Sequence, residues 1–399
     1  MKVLHTSDWH IGKQLHKIDL SEDLEMFFDW LIDTIQKEQI DLLLVSGDIF
    51  DQANPSQASF SQYYNFLKRM AKLDCKILLT GGNHDSPAVL NAPKQLLEIL
   101  DIVMVGGAPD EIQELFFEYK KDDVNLVIAA VPFLKDKDIR KSVAGESYED
   151  KIDQIRIGLK NYFSNVNDYY KANYGSHKFI VMGHLFVQGA QSSDSEREIQ
   201  IGNQAGVEES IFGDTSDYVA LGHIHKPYSV GGSNKIHYSG SPVSFSFSEK
   251  EDQKQINIIN FTTTQNEVQI IPVPKFRSLI AFEGTLVEVE KMINEFDEKN
   301  DLITLGEIRV TEGKISQTTR LNLENLQESH GNVLLQIVKS RLGFIEAEKN
   351  VNDFFTEGTD VNDVTPAEMF EKKLEMDEEI ENKDELRNAF LEILESLNL

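Results

Sequence analysis

The chain has 399 residues, a formal net charge of −28, 40% hydrophobic residues and one cysteine. That length exceeds a single compact core, so two or three domains are expected. Cys75, alone and within the apolar run Cys75–Leu79, excludes an intrachain disulfide and a thiolate metal cage. The excess acid argues against a chain that grips nucleic acid unaided, because phosphate contacts need Lys and Arg.

The opening Met-Lys-Val-Leu-His-Thr-Ser-Asp turns polar before a signal-peptide core forms, and no apolar run is long enough to span a bilayer. A cytoplasmic protein without a membrane segment is expected. Val3–His5 then leads into "SDWH", with Asp8 and His10, and Asp41–Val45 leads into "SGDIFD", with Asp48 and Asp51. Lys76–Leu79 leads into "TGGNHD", with Asn83, His84 and Asp85. Phe179–Met182 leads into "GHLF", with His184, and Tyr218–Leu221 into "GHIH", with His223 and His225. Each run is short, rich in Val, Ile and Leu and bounded by Gly, which predicts buried strands. Helical spacing over Leu24–Ile35 and Phe60–Leu73 alternates with the first strands, as in a layered α/β fold.

Residues 235–274 predict further strands ("KIHYSG", "QINIINF", "EVQIIPV") around the Ser/Phe-rich "SGSPVSFSFSEKED". Beyond them a smaller unit of strand, helix, strand, helix and strand is expected, with strands at Ser278–Glu283, Ile303–Val310 and Asn332–Val338. Its first helix carries Leu286, Val289, Ile293 and Phe296 on one face. The domain expectation is therefore 1–274 for the catalytic unit, 275–345 for an accessory cap and 346–399 for an acidic helical tail. The tail holds 17 acidic and 5 basic residues. Thr365-Pro-Ala-Glu368 is a capping box that opens a helix to about Glu381. A second helix after Asn382 presents Leu386, Ala389, Phe390, Ile393, Leu394 and Leu397 as an apolar stripe suited to a partner. The basic cluster Lys135, Lys137, Arg140 and Lys141 reads as a solvated face.

The chemistry lies in the five strand ends, because open α/β sheets gather ligands at the carboxyl ends of their strands. One Asp after a strand is a turn; five such endings in carboxylate, amide and imidazole are a metal site. Mixed oxygen and imidazole donors without thiolate suit Mn²⁺, with Fe²⁺ or Mg²⁺ as alternatives and zinc less suited. Asp8, His10, Asp48, Asn83, His184, His223 and His225 are too many ligands for one ion and fit two. Asp48 is the natural bridge, Asp8, His10 and His225 complete one ion, and Asn83, His184 and His223 complete the other. Two ions roughly 3.5–4 Å apart clamp both sides of an in-line phosphoryl displacement. His84, beside a ligand but pointing away from it, is the expected general acid, with Asp51 orienting it.

The ordered set Asp-x-His, Gly-Asp, Gly-Asn-His-Asp and Gly-His-x-His resembles the calcineurin-like metallophosphoesterase superfamily. Within it, "TSDWHIGKQLH", "GHLFVQGAQSSDSERE" and "YSGSPVSFSFSE" are similar to the nuclease subunits of a bacterial nuclease–ATPase complex. The likeness is strong to about residue 270 and extends to the rest by layout. It implies a layered β-sandwich flanked by helices, with a smaller α/β capping domain. It implies a manganese-dependent DNA exonuclease and endonuclease, acting as a dimer of nuclease subunits in a heterotetramer. The partner it implies is a coiled-coil ATPase, engaged through the C-terminal helices. Asp51 fits the bacterial branch, since archaeal and eukaryotic relatives tend to carry His there. Two alternatives stand beside this one. A protein phosphatase or small-molecule phosphodiesterase would be expected to follow the bridging Asp with Asp-Arg-Gly, where this chain has "DIFDQAN". A metal-free scaffold would be expected to have lost ligands.

Overall fold

The computed structural model describes residues 1–344 apart from 142–144, 191–192, 198, 200–205, 233 and 314–315. In the tail it describes Phe370, Leu374, Lys383, Leu386, Arg387, Ala389 and Phe390. The expected helices over 365–381 and 382–397 lie otherwise outside the described residues. Within the tail, Phe370 stacks on Phe390, a member of the apolar stripe, with ring centroids 3.9 Å apart.

The strands at the expected motifs are β1 (Lys2–Thr6), β2 (Leu42–Ser46) and β3 (Lys76–Thr80), followed by β4 (Ile102–Val105). Helix α1 (Ser21–Glu38) joins β1 to β2, and α2 (Gln57–Met70) joins β2 to β3. A hairpin, β5 (Phe116–Lys121) and β6 (Val124–Ala130), and a long helix α3 (Tyr148–Tyr174) come next. Then follow β7 (Lys178–His184), β8 (Tyr218–Gly222), β9 (Tyr228–Ser229), β10 (Ile236–Tyr238), β11 (Gln255–Phe261) and β12 (Asn266–Pro272).

These strands make two six-stranded sheets, in the orders β12-β11-β1-β2-β3-β4 and β9-β10-β8-β7-β6-β5. The strands that carry the motifs are parallel to their neighbours: β1 with β2, β2 with β3, and β7 with β8. Alternation along β1 and β2 explains the layering. Val3, Leu42 and Leu44 point into an apolar cluster with Ile128, Val181 and Val219 of the second sheet. Leu4, Leu43 and Val45 point the other way, onto Phe27, Phe28 and Leu31 of α1 and Phe66 of α2. The outer face of the second sheet is covered by α3 through Ile155, Leu159, Phe163 and Val166. The result is a helix–sheet–sheet–helix stack in which the central strands of both sheets are buried on both faces, hence their continuous Val, Ile and Leu runs. Each fully buried side chain of this size contributes about 1.5–3 kcal/mol.

Helix α3 is absent from the sequence expectation, yet it opens on a capping box in which Ser147 and Asp150 bond each other's backbone.

A third, parallel sheet of β13 (Leu279–Gly284), β14 (Thr304–Glu312) and β15 (Leu335–Phe344) follows. It alternates with α4 (Leu286–Glu295) and α5 (Gln317–Glu328), as the spacing predicts, and has its own core of Phe282, Val289, Ile293, Ile308 and Leu323. Arg277 anchors the entry to this unit: its Nε donates to Asp23 Oδ1 of buried α1 at 2.8 Å. Of the basic cluster expected to be a solvated face, Lys135, Lys137 and Lys141 are exposed, but the Arg140 side chain is only 5% exposed and donates to both oxygens of Glu146 at 2.8 and 2.9 Å.

Candidate metal centre

Parallel strands of both sheets end at one place. Ser46 Oγ of β2 donates to the Ala220 carbonyl of β8 at 3.0 Å, which holds the sheet edges together above the site. The approach is close enough to demand glycine. A Cβ on Gly222 would lie 1.8 Å from the Ser46 oxygen, and one on Gly82 would lie 2.1 Å from Asp48 Oδ1.

The loops are pinned to one another by backbone. Asp8 N donates to Gly47 O at 3.0 Å, and His10 N to Asp48 O at 2.9 Å. Asp85 braces the next pair, accepting from Ile49 N, Phe50 N and Gly82 N at 2.9–3.0 Å. Burial, reinforced by the charge of Asp48, raises its carboxyl to about 7 despite those donors. Asp8, His10, Asp48 and His223 all have positive φ, at 53°, 47°, 50° and 104°. Non-glycine residues adopt such angles at a cost of order 1–3 kcal/mol each and concentrate where function requires them.

The seven expected ligands converge. Asp8, His10, Asp48, His184, His223 and His225 are each no more than 1% exposed. Donor atoms of Asp8, His10 and His225 lie within 4.8 Å of one another, as do those of Asp8, Asp48 and His184. A third such group is His10, Asp48 and His84. Asp8 thus reaches both clusters, whereas the sequence points to Asp48 alone as the residue between them. Asn83 Oδ1 lies 2.9 Å from His184 Nε2. The rings of His184 and His223 are 5.6 Å apart, and His223 Nε2 is buried with no hydrogen-bond partner among the described residues.

The tautomers test whether a cation fits. His184 Nδ1 sits 2.9 Å from the Ser46 carbonyl, which only accepts, so Nδ1 carries the proton. Its Nε2 lone pair then faces Asp48 Oδ2 at 3.3 Å, an acceptor aimed at an acceptor. Either a proton or a metal ion must lie between them. Burial lowers the His184 pKa, but the Asp48 and Asp8 carboxylates outweigh it and raise it to about 9. Likewise His10 Nε2 and His225 Nε2 meet at 3.1 Å, beside Asp48 Oδ2 at 3.5 Å from His10. Burial pushes His10 down to about 3 and holds His223 well below the histidine range, so both stay neutral and able to ligate. Asp8, raised to about 6 by burial against the pull of His184 and His225, accepts from Ser7 Oγ and from His223 N. Asp48, although buried, is held well below the carboxylate range by His184 and His10. The donor set fits divalent cations.

His84 and Asp51 meet differently from the sequence expectation. His84 Nδ1 donates to the backbone carbonyl of Asp51 at 2.7 Å, not to its carboxylate, which lies 3.9 Å away. The carboxylate instead reaches His10 Nδ1 at 3.3 Å and Lys13 Nζ at 3.0 Å, and these cations and donors depress its pKa against the effect of burial. The His84 ring packs edge-on to His10 with centroids 4.5 Å apart, and its backbone N donates to Asp48 Oδ1 at 2.9 Å.

Residues that strand-end reasoning does not reach also line the centre. Phe245 stands edge-on to His10 and His225 at 5.2 and 5.3 Å. Ser195 and Glu196 approach His225, and Glu249 lies behind them. Their only trace in the sequence is the pair of Ser-rich segments, "QSSDSERE" and "SFSFSE". A cavity of about 430 Å³ beside Phe245 is lined by Lys13, His16, Phe247, Arg309, Lys339 and Arg341, and so joins β14 and β15 to the site.

A family model described as calcineurin-like phosphoesterase matches residues 1–227. Across 409 aligned residues the chain is 27% identical to the SbcD subunit of nuclease SbcCD from Escherichia coli (strain K12), covering all of this chain and 98% of that one. It is 27% identical to the SbcD subunit of Bacillus subtilis (strain 168), over 83% of both chains. It is 30% identical to that of Staphylococcus epidermidis, over 72% of this chain and 74% of the relative.

Proposed function

Because this chain belongs to the calcineurin-like phosphoesterase family, in the branch of the SbcD nuclease subunits, we propose that it is a metal-dependent DNA nuclease. The observation that carries the reading is the meeting of buried carboxylates and imidazoles from five strand ends, with donor atoms in groups no wider than 4.8 Å. In this reading Asp48 would be shared between two ions. Asp8, His10 and His225 complete one, and Asn83, His184 and His223 the other. Mn²⁺ is the preferred ion, and Fe²⁺ or Mg²⁺ suit the same donors. Two such ions, when bound, supply Lewis acidity to water and to the phosphoryl oxygens.

The chain's own groups do the rest. In its imidazolium form His84 gives the Nε2 proton to the leaving oxygen while its Nδ1–H stays on the Asp51 carbonyl; burial lowers the pKa of the ring, and the Asp48 carboxylate works against that. The Asp51 carboxylate keeps His10 oriented, and Lys13 balances its charge. Phosphates flanking the scissile bond meet the cavity beside Phe245, where Lys13, Arg309, Lys339 and Arg341 outnumber Glu307, with which the last three pair, and Asp194, leaving a local positive surface on an acidic chain. The unit at 275–345 then acts as a cap that helps hold the duplex.

The reactions assigned are double-strand exonuclease and single-strand or hairpin endonuclease cleavage, in DNA repair and recombination. The partner is an SbcC-like coiled-coil ATPase held by the helices of 346–399, with two nuclease subunits in a heterotetramer. The test is the full chain with Mn²⁺ on free-ended duplex, end-blocked duplex and hairpin DNA, with and without the ATPase. Cleavage of free ends and hairpins that disappears with a chelator is expected. Hydrolysis of phosphomonoesters with no cleavage of any DNA would overturn the nuclease reading in favour of a phosphatase.

A further inference from the structure

The two Ser-rich segments lie about fifty residues apart in sequence and meet behind His225. Glu249, fully buried, ends the turn Phe247–Glu249, and Lys254 precedes β11. Lys254 Nζ donates to Glu249 Oε2 at 2.6 Å, to the His225 carbonyl at 3.0 Å and to Ser241 Oγ at 3.0 Å. Phe245 N also donates to Glu249 Oε2, at 3.2 Å. The other oxygen, Oε1, accepts the Ser195 hydroxyl. Ser195 Oγ in turn lies 2.5 Å from His225 Nδ1.

Hydrogen-bond arithmetic gives this chain a direction. Ser195 has one hydroxyl proton, and a buried carboxylate paired with Lys254 is ionised and only accepts. The proton therefore goes to Glu249, and Ser195 Oγ must accept from His225. His225 Nδ1 then carries the hydrogen, and Nε2 presents its lone pair to His10 Nε2 at 3.1 Å and to the centre beyond. Glu196 Oε1 fixes the same residue from its backbone side, accepting from His225 N at 2.7 Å.

We infer that Glu249, acting through the Ser195 hydroxyl, is a positioning residue that fixes the His225 imidazole in the tautomer able to ligate. The inference rests on the reading of His225 as a metal ligand. Carboxylate-linked histidines of this kind are more basic ligands and better oriented ones, and losing the outer partner typically costs about 10–100-fold in metal affinity. The arrangement also makes the segment 193–196 part of the metal site rather than a cover over it.

Removing Glu249 itself would strand Lys254 in the core, so the decisive variant is Ser195→Ala, which cuts the relay and leaves the Glu249–Lys254 pair intact. Metal-stripped full chain is titrated with Mn²⁺ by calorimetry, and His225 is followed by the ¹⁵N chemical shifts of its imidazole. Ser195→Ala should weaken one Mn²⁺ site by about 10–100-fold, with an unchanged melting temperature in the metal-free state. Its ¹⁵N signals should lose the single Nδ1–H tautomer. Ser195→Thr, which keeps the hydroxyl, should restore both. A Ser195→Ala isotherm and imidazole spectrum identical to wild type would overturn the inference, making the Glu249 network a structural seam only. If His225→Ala binds Mn²⁺ as wild type does, the ligand reading fails first and separately.

Discussion

His84→Ala separates a proton donor from a ligand. The ring is 2% exposed, packs on His10 and makes one hydrogen bond, from Nδ1 to the Asp51 carbonyl, so its removal costs about 1–3 kcal/mol for the stranded carbonyl, plus the lost packing. The bond from its backbone N to Asp48 Oδ1 is retained in the variant, and the loop that carries Asn83 keeps its place. Metal content should therefore hold while turnover falls. General acid catalysis is typically worth about 10²–10⁴-fold, or roughly 3–5 kcal/mol at 1.36 kcal/mol per tenfold. The loss should depend on the leaving group. An alkoxide such as the 3′- or 5′-oxygen of DNA needs the proton; p-nitrophenolate departs without it. The assay compares kcat on a dinucleotide with kcat on a p-nitrophenyl ester of the same nucleotide, alongside metal analysis. A large defect on the first substrate and a small one on the second is expected. Equal defects on both, or loss of an ion in keeping with the His10, Asp48 and His84 cluster, would refute the assignment of His84 as acid.

Removing a ligand should act in the opposite way: His223→Ala should lower Mn²⁺ from about two ions to one or none by elemental analysis, abolish hydrolysis and leave the circular dichroism spectrum unchanged. In the metal-free protein His184, raised to about 9, is protonated at neutral pH, so metal must displace that proton. Apparent Mn²⁺ affinity should climb as pH rises towards 9, with proton release visible as a buffer-dependent heat of binding, and a flat profile would contradict it. Buried His5 works in the reverse sense. Burial, aided by His237, lowers its pKa from 6.5 to about 3, so the unfolded chain binds its proton at a pH where the folded chain does not. Stability from His5 is therefore full above pH 6.5 and lost as pH falls towards 3, and His5→Leu should flatten the acid side of a melting-temperature profile. Arg341, whose side chain is 63% exposed at the rim of the basic cavity, should contribute about one phosphate contact. Arg341→Gln should then reduce the slope of log affinity against log salt by about 1 in DNA-binding measurements.

The strands were legible because each must do two things at once. Burial on both faces forces an unbroken run such as Leu42–Val45, and the candidate centre at its end stops the run on glycine and the Asp48 carboxylate. The helix Tyr148–Tyr174 has a capping box and buried residues at Ile152, Ile155, Leu159, Phe163 and Val166, so its signal was present although no chemistry drew attention to it. Other features were beyond sequence logic. Nothing local states that the Asp51 carboxylate serves His10 while its carbonyl serves His84, because the choice depends on how two loops from different strands cross. Glu249 is in the same position: its neighbours in the chain are Ser, Phe and Lys, and its partner Ser195 lies on another loop. The stripe from Leu386 onwards remains a statement of pattern, of which Phe390 against Phe370 is the described contact.

Buried carboxylates among the described residues differ in what neutralises them, and the difference bears on what the centre is for. Asp23 is paired with Arg277, Glu249 with Lys254, and Glu307 with Lys339 and Arg309. Each is neutralised by a permanent cation, as burial of charge requires. Asp8 and Asp48 are equally buried, yet among the described residues no Lys or Arg pairs with them; only imidazoles, the Ser7 hydroxyl and backbone donors do. Asp85, also buried without a cation, is met by three backbone N–H groups and raised to about 7, whereas Asp8 and Asp48 face imidazoles from several strand ends and are left for an exchangeable cation. On a chain of net charge −28, such cations do more than ligate, since they invert the local potential where a phosphodiester must approach. DNA should accordingly bind this chain weakly without metal, and its grip should come from the ions, from Arg309, Lys339 and Arg341, and from the partner.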